Sequence, residues 1–209
     1  MMKFLIADDH AIVRKGLVQI LCEEFPGAKV MEVSNSNEAL EEARKQIWDV
    51  ILLDISMPGR NGIETLKQIR FEGIKAPILM LSMHPEEQYA VRVLKAGASG
   101  FLNKESATEE LLVAVHKVLS GRKYITSSVA EKLAESLGGE GEKPAHEFLS
   151  DREMQVLQLI ASGKTVSEIA DGLSLSVNTI STYRTRILEK LTLNNNAEIT
   201  RYALDNGLA

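Results

Sequence analysis

The sequence predicts an α/β fold, a doubly wound five-stranded parallel sheet, followed by a second, all-α domain built around a helix-turn-helix. Three observations lead there. Short apolar runs alternate five times with helix-length amphipathic stretches up to about residue 121. A glycine-rich, charged segment interrupts the pattern at 138–144, and from Leu149 onward strand patterns stop while helix-start signals continue.

Phe4-Leu5-Ile6-Ala7, Val50-Ile51-Leu52-Leu53 and Ile78-Leu79-Met80-Leu81 are nearly continuous apolar runs. Strands covered by helices on both faces of a parallel sheet read this way, because neither face meets water. The stretch from Ala28 to Val33 is more mixed and fits an edge strand, and Ser99-Gly100-Phe101-Leu102 is a fifth, short one. Helical patterns fall at about 11–24, 37–46, 61–72, 86–96 and 106–120, completing a (βα)5 repeat with right-handed crossovers. From Tyr124 to Leu137, the recurrence of Val129, Leu133 and Leu137 at i, i+4 and i+8 predicts one more amphipathic helix. Gly138-Gly139-Glu140-Gly141-Glu142-Lys143-Pro144 then reads as a flexible linker, since glycine frees the backbone and charge keeps it in water.

The second domain is marked by its helix caps. Ser150-Asp151-Arg152-Glu153 and Thr165-Val166-Ser167-Glu168 are capping boxes, Asn195-Asn196-Ala197-Glu198 resembles one, and Ser176 caps a longer helix to about Thr192. Thr165 to Asp171, a turn through Gly172-Leu173-Ser174-Leu175, and the helix from Ser176 have helix-turn-helix proportions. The expected organisation is a first domain at 1–122, a linker helix and flexible linker at 123–148, and a helix-turn-helix domain at 149–209.

Composition sets the outer limits. Of 209 residues, 44% are hydrophobic and 25% charged, which places the chain among globular proteins and not disordered ones. No apolar run approaches the roughly 20 residues of a membrane span. The N-terminus loses its apolar character after a few residues and has no small-residue cleavage site, so a signal peptide is not expected and the cytoplasm is the default location. A single cysteine, Cys22, excludes an internal disulfide; its apolar neighbours predict a buried thiol.

Taken over the whole chain, the net charge of −5 opposes nucleic-acid binding, which needs Lys and Arg at phosphates. Region by region the balance is −1 for 1–125, −3 for 126–149 and −1 for 150–209. Three of the six cations in 150–209, Arg184, Arg186 and Lys190, lie on one predicted helix. Acidity therefore constrains binding to localised contacts and does not exclude it.

In a doubly wound sheet, ligands bind beyond the carboxyl ends of the strands. The polar residues expected there are Asp8 and Asp9 after the first strand, Asp54 after the third, Ser82 after the fourth and Lys104 after the fifth. Three carboxylates brought together repel one another, and a hard divalent cation, most naturally Mg²⁺, relieves that repulsion. A magnesium-bound carboxylate can attack a phosphoryl group, with a hydroxyl and an ammonium receiving its equatorial oxygens, roles that suit Ser82 and Lys104.

The order Asp8-Asp9, Asp54-Ile55-Ser56-Met57-Pro58-Gly59, Ser82, Lys95-Ala96-Gly97-Ala98, Phe101 and Lys104 resembles the receiver domain of bacterial response regulators across about residues 1–122. The resemblance implies that Asp54 accepts phosphate from a sensor histidine kinase. It further implies Mg²⁺ held by Asp9, Asp54 and the Ser56 backbone carbonyl with Asp8 assisting, and Ser82 and Phe101 as a switch pair that shifts the population between two conformers. Such a protein is a phosphoacceptor and not an enzyme beyond magnesium-dependent self-phosphorylation and dephosphorylation. Met83 follows Ser82 where receivers often carry a smaller residue; its thioether either restricts access of water and phosphodonor or is ordinary packing. His84 is expected to be solvated or to face the kinase.

On the predicted helix from Ser176, Ile180, Ile187, Leu188 and Leu191 form an apolar stripe with Tyr183 at its edge. Asn178, Ser181, Thr182, Thr185 and Arg186 gather on the opposite face, where they can reach base edges in a major groove, while Arg184 and Lys190 suit phosphates. With Thr179 these make up the candidate DNA-binding set. Leu149-Ser150-Asp151-Arg152-Glu153, Ile160-Ala161-Ser162-Gly163, Glu168-Ile169-Ala170, Thr179-Ile180 and Lys190-Leu191 resemble the LuxR-type domain of the NarL/FixJ family over residues 148–208. That implies sequence-specific binding to promoter DNA, usually as a homodimer when active, with RNA polymerase as a further partner and no membrane role. Ser181 and Tyr183 stand where the family commonly has Lys and His, and Asn196 where Arg is common, which should lower nonspecific affinity and alter the bases read.

Two other classes compete. A phosphohydrolase of the haloacid-dehalogenase type would use Asp54 as nucleophile, but it needs a second Asp two residues on, where this chain has Ser56. A regulator whose helical domain docks a protein would select no DNA motif from a random pool.

Overall fold

The computed structural model describes residues 1–57, 60–83, 86–138 and 144–208. Pro58, Gly59, His84 and the linker residues 139–143 lie outside the described residues. The chain forms two compact units, Met1–Gly138 and Gly139–Ala209.

The first unit follows the order β1 (Lys3–Ala7), α1 (Ala11–Glu24), β2 (Lys29–Val33), α2 (Ser36–Lys45), β3 (Val50–Asp54), α3 (Gly62–Phe71), β4 (Ile78–Ser82), α4 (Glu86–Lys95), β5 (Gly100–Asn103), α5 (Ala107–Leu119) and α6 (Ser127–Gly138). The sheet runs β2-β1-β3-β4-β5, every pair parallel. Alternate residues of each strand serve opposite cores. Leu5, Ala7, Ile51, Leu53 and Met80 pack with α2, α3 and α4, whereas Phe4, Ile6, Val50, Leu52, Leu79 and Leu81 pack with α1 and α5. That double coverage is why β1, β3 and β4 carry unbroken apolar runs.

Two sequence expectations change. Cys22 is exposed and not buried. Leu17 and Leu21, four residues apart on α1, take the core-facing stripe, and the next residue along turns about 100° away from it. The last helix of this unit begins at Ser127, later than the pattern from Tyr124 suggests. Tyr124 instead forms a parallel bridge with Gly100, its N–H donating to the Ser99 carbonyl at 2.8 Å. A Cβ on Gly100 would lie 2.8 Å from the Tyr124 carbonyl oxygen, so only glycine lets the chain come this close. Val129 of α6 is buried in the same cluster as Phe101 and Tyr89, which makes this helix part of the first unit.

The second unit has a short 3-10 turn (Ala145–Phe148), α7 (Asp151–Ala161), α8 (Val166–Leu173), α9 (Val177–Leu191) and α10 (Asn196–Asp205). Both capping boxes form, at Ser150/Glu153 and Thr165/Glu168, and Asn195 accepts from the Glu198 N–H. Helix α8 extends through Gly172 and Leu173 into the expected turn because Leu173 is drawn into the core with Ile169, Ile180 and Ile187. The turn is therefore Ser174–Ser176, with Ser174 in the left-handed region at φ 53°.

Candidate functional site

Parallel strands deliver their carboxyl ends to one edge of the sheet. Asp54 is the last residue of β3 and Ser82 the last of β4; Asp8 directly follows β1 and Lys104 directly follows β5. The ladder carries on past the strands, with Ile55 N–H donating to the Leu81 carbonyl at 2.9 Å and Lys104 N–H to the Ser82 carbonyl at 2.8 Å. Helix α3 closes in from below: a Cβ on Gly62 would stand 2.0 Å from the Asp54 carbonyl oxygen, so that position admits only glycine.

The structure brings together most of the predicted site. Lys104 Nζ lies 2.7 Å from Asp8 Oδ2 and 2.8 Å from Asp54 Oδ2, all three side chains being almost completely buried. Asp54 Oδ1 accepts from the Ser56 N–H at 3.2 Å. Burial pushes the Asp54 carboxyl up to about 6; Lys104 opposes the rise and the Asp8 charge adds to it. Burial also acts against the charge on Lys104, but Asp54 and Asp8 outweigh it and hold the ammonium above its ordinary value. Ser82 and Phe101 are both buried, Phe101 against the α4 side of the sheet. Met83 is 56% exposed and so is not core packing.

Carboxylate and imidazole atoms of Asp8, Asp9, His10 and Asp54 lie within 4.8 Å of one another. Asp8 Oδ2 and Asp9 Oδ1 are buried atoms that accept no well-aligned hydrogen bond, having only the close approach of Lys104 and of His10. Three carboxylates face one lysine, which leaves an excess of negative charge on hard oxygen donors. The residues fit a hard divalent cation.

Sequence reading missed two participants. His10 Nδ1 stands 2.7 Å from Asp9 Oδ1, and the His10 N–H donates to Asp8 Oδ1 at 2.8 Å. Arg14 donates to the Asp8 carbonyl at 2.6 Å. Adjacency to the acidic pair could have signalled His10; Arg14, one helical turn further on, becomes visible only when α1 is built.

In the second unit, Asn178, Ser181, Thr182, Thr185 and Arg186 are exposed on α9, and Asn178, Thr179, Thr182, Tyr183 and Arg186 line an open groove. Thr182 and Thr185 donate to the carbonyls of Asn178 and Ser181 one turn back, leaving their hydroxyl oxygens as acceptors. Thr179 shares in the N-cap, 2.7 Å from Ser176 Oγ, and Arg184 donates to the Asn196 side chain. Lys190, expected at a phosphate, is partly exposed and has partners within the unit. Its Nζ lies 2.6 Å from Glu153 Oε2 and 3.3 Å from the Phe148 carbonyl, tying α9 to the start of α7.

A parallel α/β unit with an acidic, lysine-closed pocket, joined to a helix-turn-helix unit, defines a signal-dependent transcription regulator. Residues 4–116 match the response regulator receiver domain, and residues 147–203 match bacterial regulatory proteins of the luxR family. The chain belongs to the NarL/FixJ family of two-component response regulators, which are regulators and not classical enzymes. It is 38% identical over 211 residues to the response regulator UvrY of Escherichia coli K12, covering 100% of this chain and 96% of that one. It is 32% identical to the response regulator GacA of Pseudomonas aeruginosa, covering 100% and 98%. Among solved structures, RcsB of Salmonella enterica serovar Typhimurium, bound to promoter rprA in the presence of phosphomimetic BeF3⁻, is 30% identical with a TM-score of 0.64, covering 97% of this chain and 98% of that one. Among the described residues no helix is long and apolar enough to cross a membrane.

Proposed function

We propose that Asp54 accepts a phosphoryl group from a sensor histidine kinase and that this controls binding of α9 to promoter DNA. The observation that carries the reading is the Asp54 carboxylate buried at the end of β3 with Lys104 Nζ 2.8 Å away. An Asp54 oxygen attacks phosphorus as the bond to the kinase's histidine nitrogen breaks, giving an acyl phosphate on Asp54 and returning the electron pair to the imidazole. Lys104 meets the developing negative charge on the phosphoryl oxygens with a fixed ammonium in a water-poor pocket. Ser82, ending the neighbouring strand, offers its hydroxyl to the same group, and Phe101 on β5 responds to it. Asp8, Asp9, Asp54 and the Ser56 carbonyl would hold Mg²⁺, which when bound supplies charge neutralisation at the transferring phosphate.

In the second unit, Asn178, Ser181, Thr182, Thr185 and Arg186 reach base edges in a major groove, with Thr179 and Arg184 at its flank. Lys190 serves the fold of that unit through Glu153. With so few cations, binding relies on a homodimer over paired half-sites, in the cytoplasm, with RNA polymerase recruited from the bound site. The reading is tested with a kinase that labels the wild type: Asp54→Asn takes up no label, and phosphorylation sharpens the motif selected from a random DNA pool. Label retained by Asp54→Asn, or no motif with or without phosphorylation, rejects it.

A further inference from the structure

The three cations of α9 are held in three different ways. Lys190 is paired with Glu153, and Arg186 lines the open groove with Asn178 and Thr182. Arg184 does neither. It is two residues from both Thr182 and Arg186, so at about 100° per residue it leaves the helix on a different side from the groove. The residue is half-buried, and its Nε donates to the side-chain oxygen of Asn196 at the start of α10. Asparagine is a neutral acceptor, so it fixes the guanidinium without cancelling its charge. Among the described residues Arg184 has no carboxylate partner, and its two Nη groups donate to no other atom.

We propose that Asn196 is a positioning residue for DNA binding: it holds Arg184 as a phosphate clamp, so that one side of α9 meets bases while a second side, fixed from α10, meets the nucleic-acid backbone. The inference rests on the reading of α9 as the DNA-binding helix. An arginine anchored through Nε presents the edge that carries both Nη groups, and that edge matches two phosphate oxygens. A long side chain loose in solvent loses rotamer freedom when it meets DNA. Asn196 removes part of that freedom beforehand, which strengthens binding without adding a contact. Because a phosphate carries no sequence information, Arg184 supplies register and affinity, and Asn178, Thr182 and Arg186 are left to select the motif.

Wild type, Arg184→Ala, Asn196→Ala and the double variant are titrated as full chains by fluorescence anisotropy across a salt series. The probes are a duplex that the wild type selects from a random pool and a duplex of random sequence. Arg184→Ala weakens binding to both and makes the salt slope shallower by about 0.9 for each bound copy, one phosphate contact fewer. Asn196→Ala weakens both by about threefold per copy and leaves the slope unchanged, since the cation stays and only its anchoring is lost. In the double variant Asn196→Ala adds nothing to Arg184→Ala. The cap of α10 is Asn195, which accepts from the Glu198 N–H at 3.0 Å, so Asn196→Ala keeps the helix start and the melting temperature. An unchanged slope in Arg184→Ala overturns the clamp. No loss from Asn196→Ala, or the same loss with and without Arg184, overturns the positioning, as does a lowered melting temperature with unchanged binding. A wild type that selects no motif removes the base-reading role alone, and the random duplex still decides the clamp; a wild type that binds neither duplex removes both.

Discussion

Lys104 Nζ lies 2.8 Å from Asp54 Oδ2 and 2.7 Å from Asp8 Oδ2, so one buried ammonium serves two buried carboxylates. The pair is left short of positive charge. Raising the Asp54 carboxyl from 3.8 to about 6 costs the ionised native protein on the order of 3 kcal/mol at neutral pH. The native state binds this proton more tightly than the unfolded chain does. Its stability therefore falls as pH rises from about 4 through about 6 and then levels off. Metal-free Asp54→Asn, which has no such proton, melts higher than the wild type at pH 7 and loses that advantage near pH 4. Added Mg²⁺ raises the melting temperature of the wild type and has a smaller effect on the variant.

Glu153 behaves with the opposite sign. Burial acts to raise its carboxyl, but the Lys190 ammonium and the Ser150 N–H together hold it below the ordinary glutamate value. Its contribution is present above the unfolded value of about 4.3 and lost as pH falls through the lower folded value. With Lys190 partly in solvent, Glu153→Gln should cost about 1 kcal/mol at pH 7. Amide exchange in α9 of the full chain checks this, with faster exchange at pH 7 and a difference that closes in acid.

Glycine matters unequally along the chain. Alanine at Gly62 would place its Cβ 2.0 Å from the Asp54 carbonyl oxygen, and nothing flexible is there to move. Gly62→Ala should cost about 3 kcal/mol or more and degrade Mg²⁺ binding through the displaced strand end. Gly16, inside α1 with open space around it, should gain about 0.5–1 kcal/mol on becoming Ala. Thermal unfolding of the two variants should move in opposite directions.

On α9, Arg186 and Lys190 should separate in DNA binding. Arg186 is exposed in the open groove, and on the proposed reading as a base contact Arg186→Ala should weaken binding to a selected site by about 1–3 kcal/mol. Lys190→Gln should act mainly through the fold, lowering the stability of the second unit and changing the salt dependence of binding little. Fluorescence anisotropy across a salt series reads both, and equal salt slopes for Arg186→Ala and wild type with equal affinity would remove Arg186 from the interface.

Most of the sheet was legible because its physics is local. An unbroken run such as Val50–Leu53 has one stable environment, between two layers of helix, and the caps at Ser150, Thr165, Ser176 and Asn195 mark helix starts by satisfying specific N–H groups. Asp8, Asp54, Ser82 and Lys104 followed from the same rule, since strand ends of a parallel sheet converge. The exposure of Cys22 turned on which neighbour of α1 faced the sheet, and that depends on the whole stripe and not on the apolar company of one residue. The turn after α8 shifted because the burial of Leu173 outweighed the preference of Gly172 for a turn.

The sequence by itself determined the element order, the parallel sheet, the acidic strand ends and the cationic helix, because apolar period, caps and charge are written along the chain. Tertiary structure alone decided that Lys190 pairs with Glu153, that Arg14 reaches the Asp8 carbonyl, and that Thr126 meets Glu86 of α4. Each of these joins residues distant in sequence or set on different turns of a helix, and which polar groups meet is fixed by packing, where leaving a buried donor or acceptor unpaired costs more than any local preference returns.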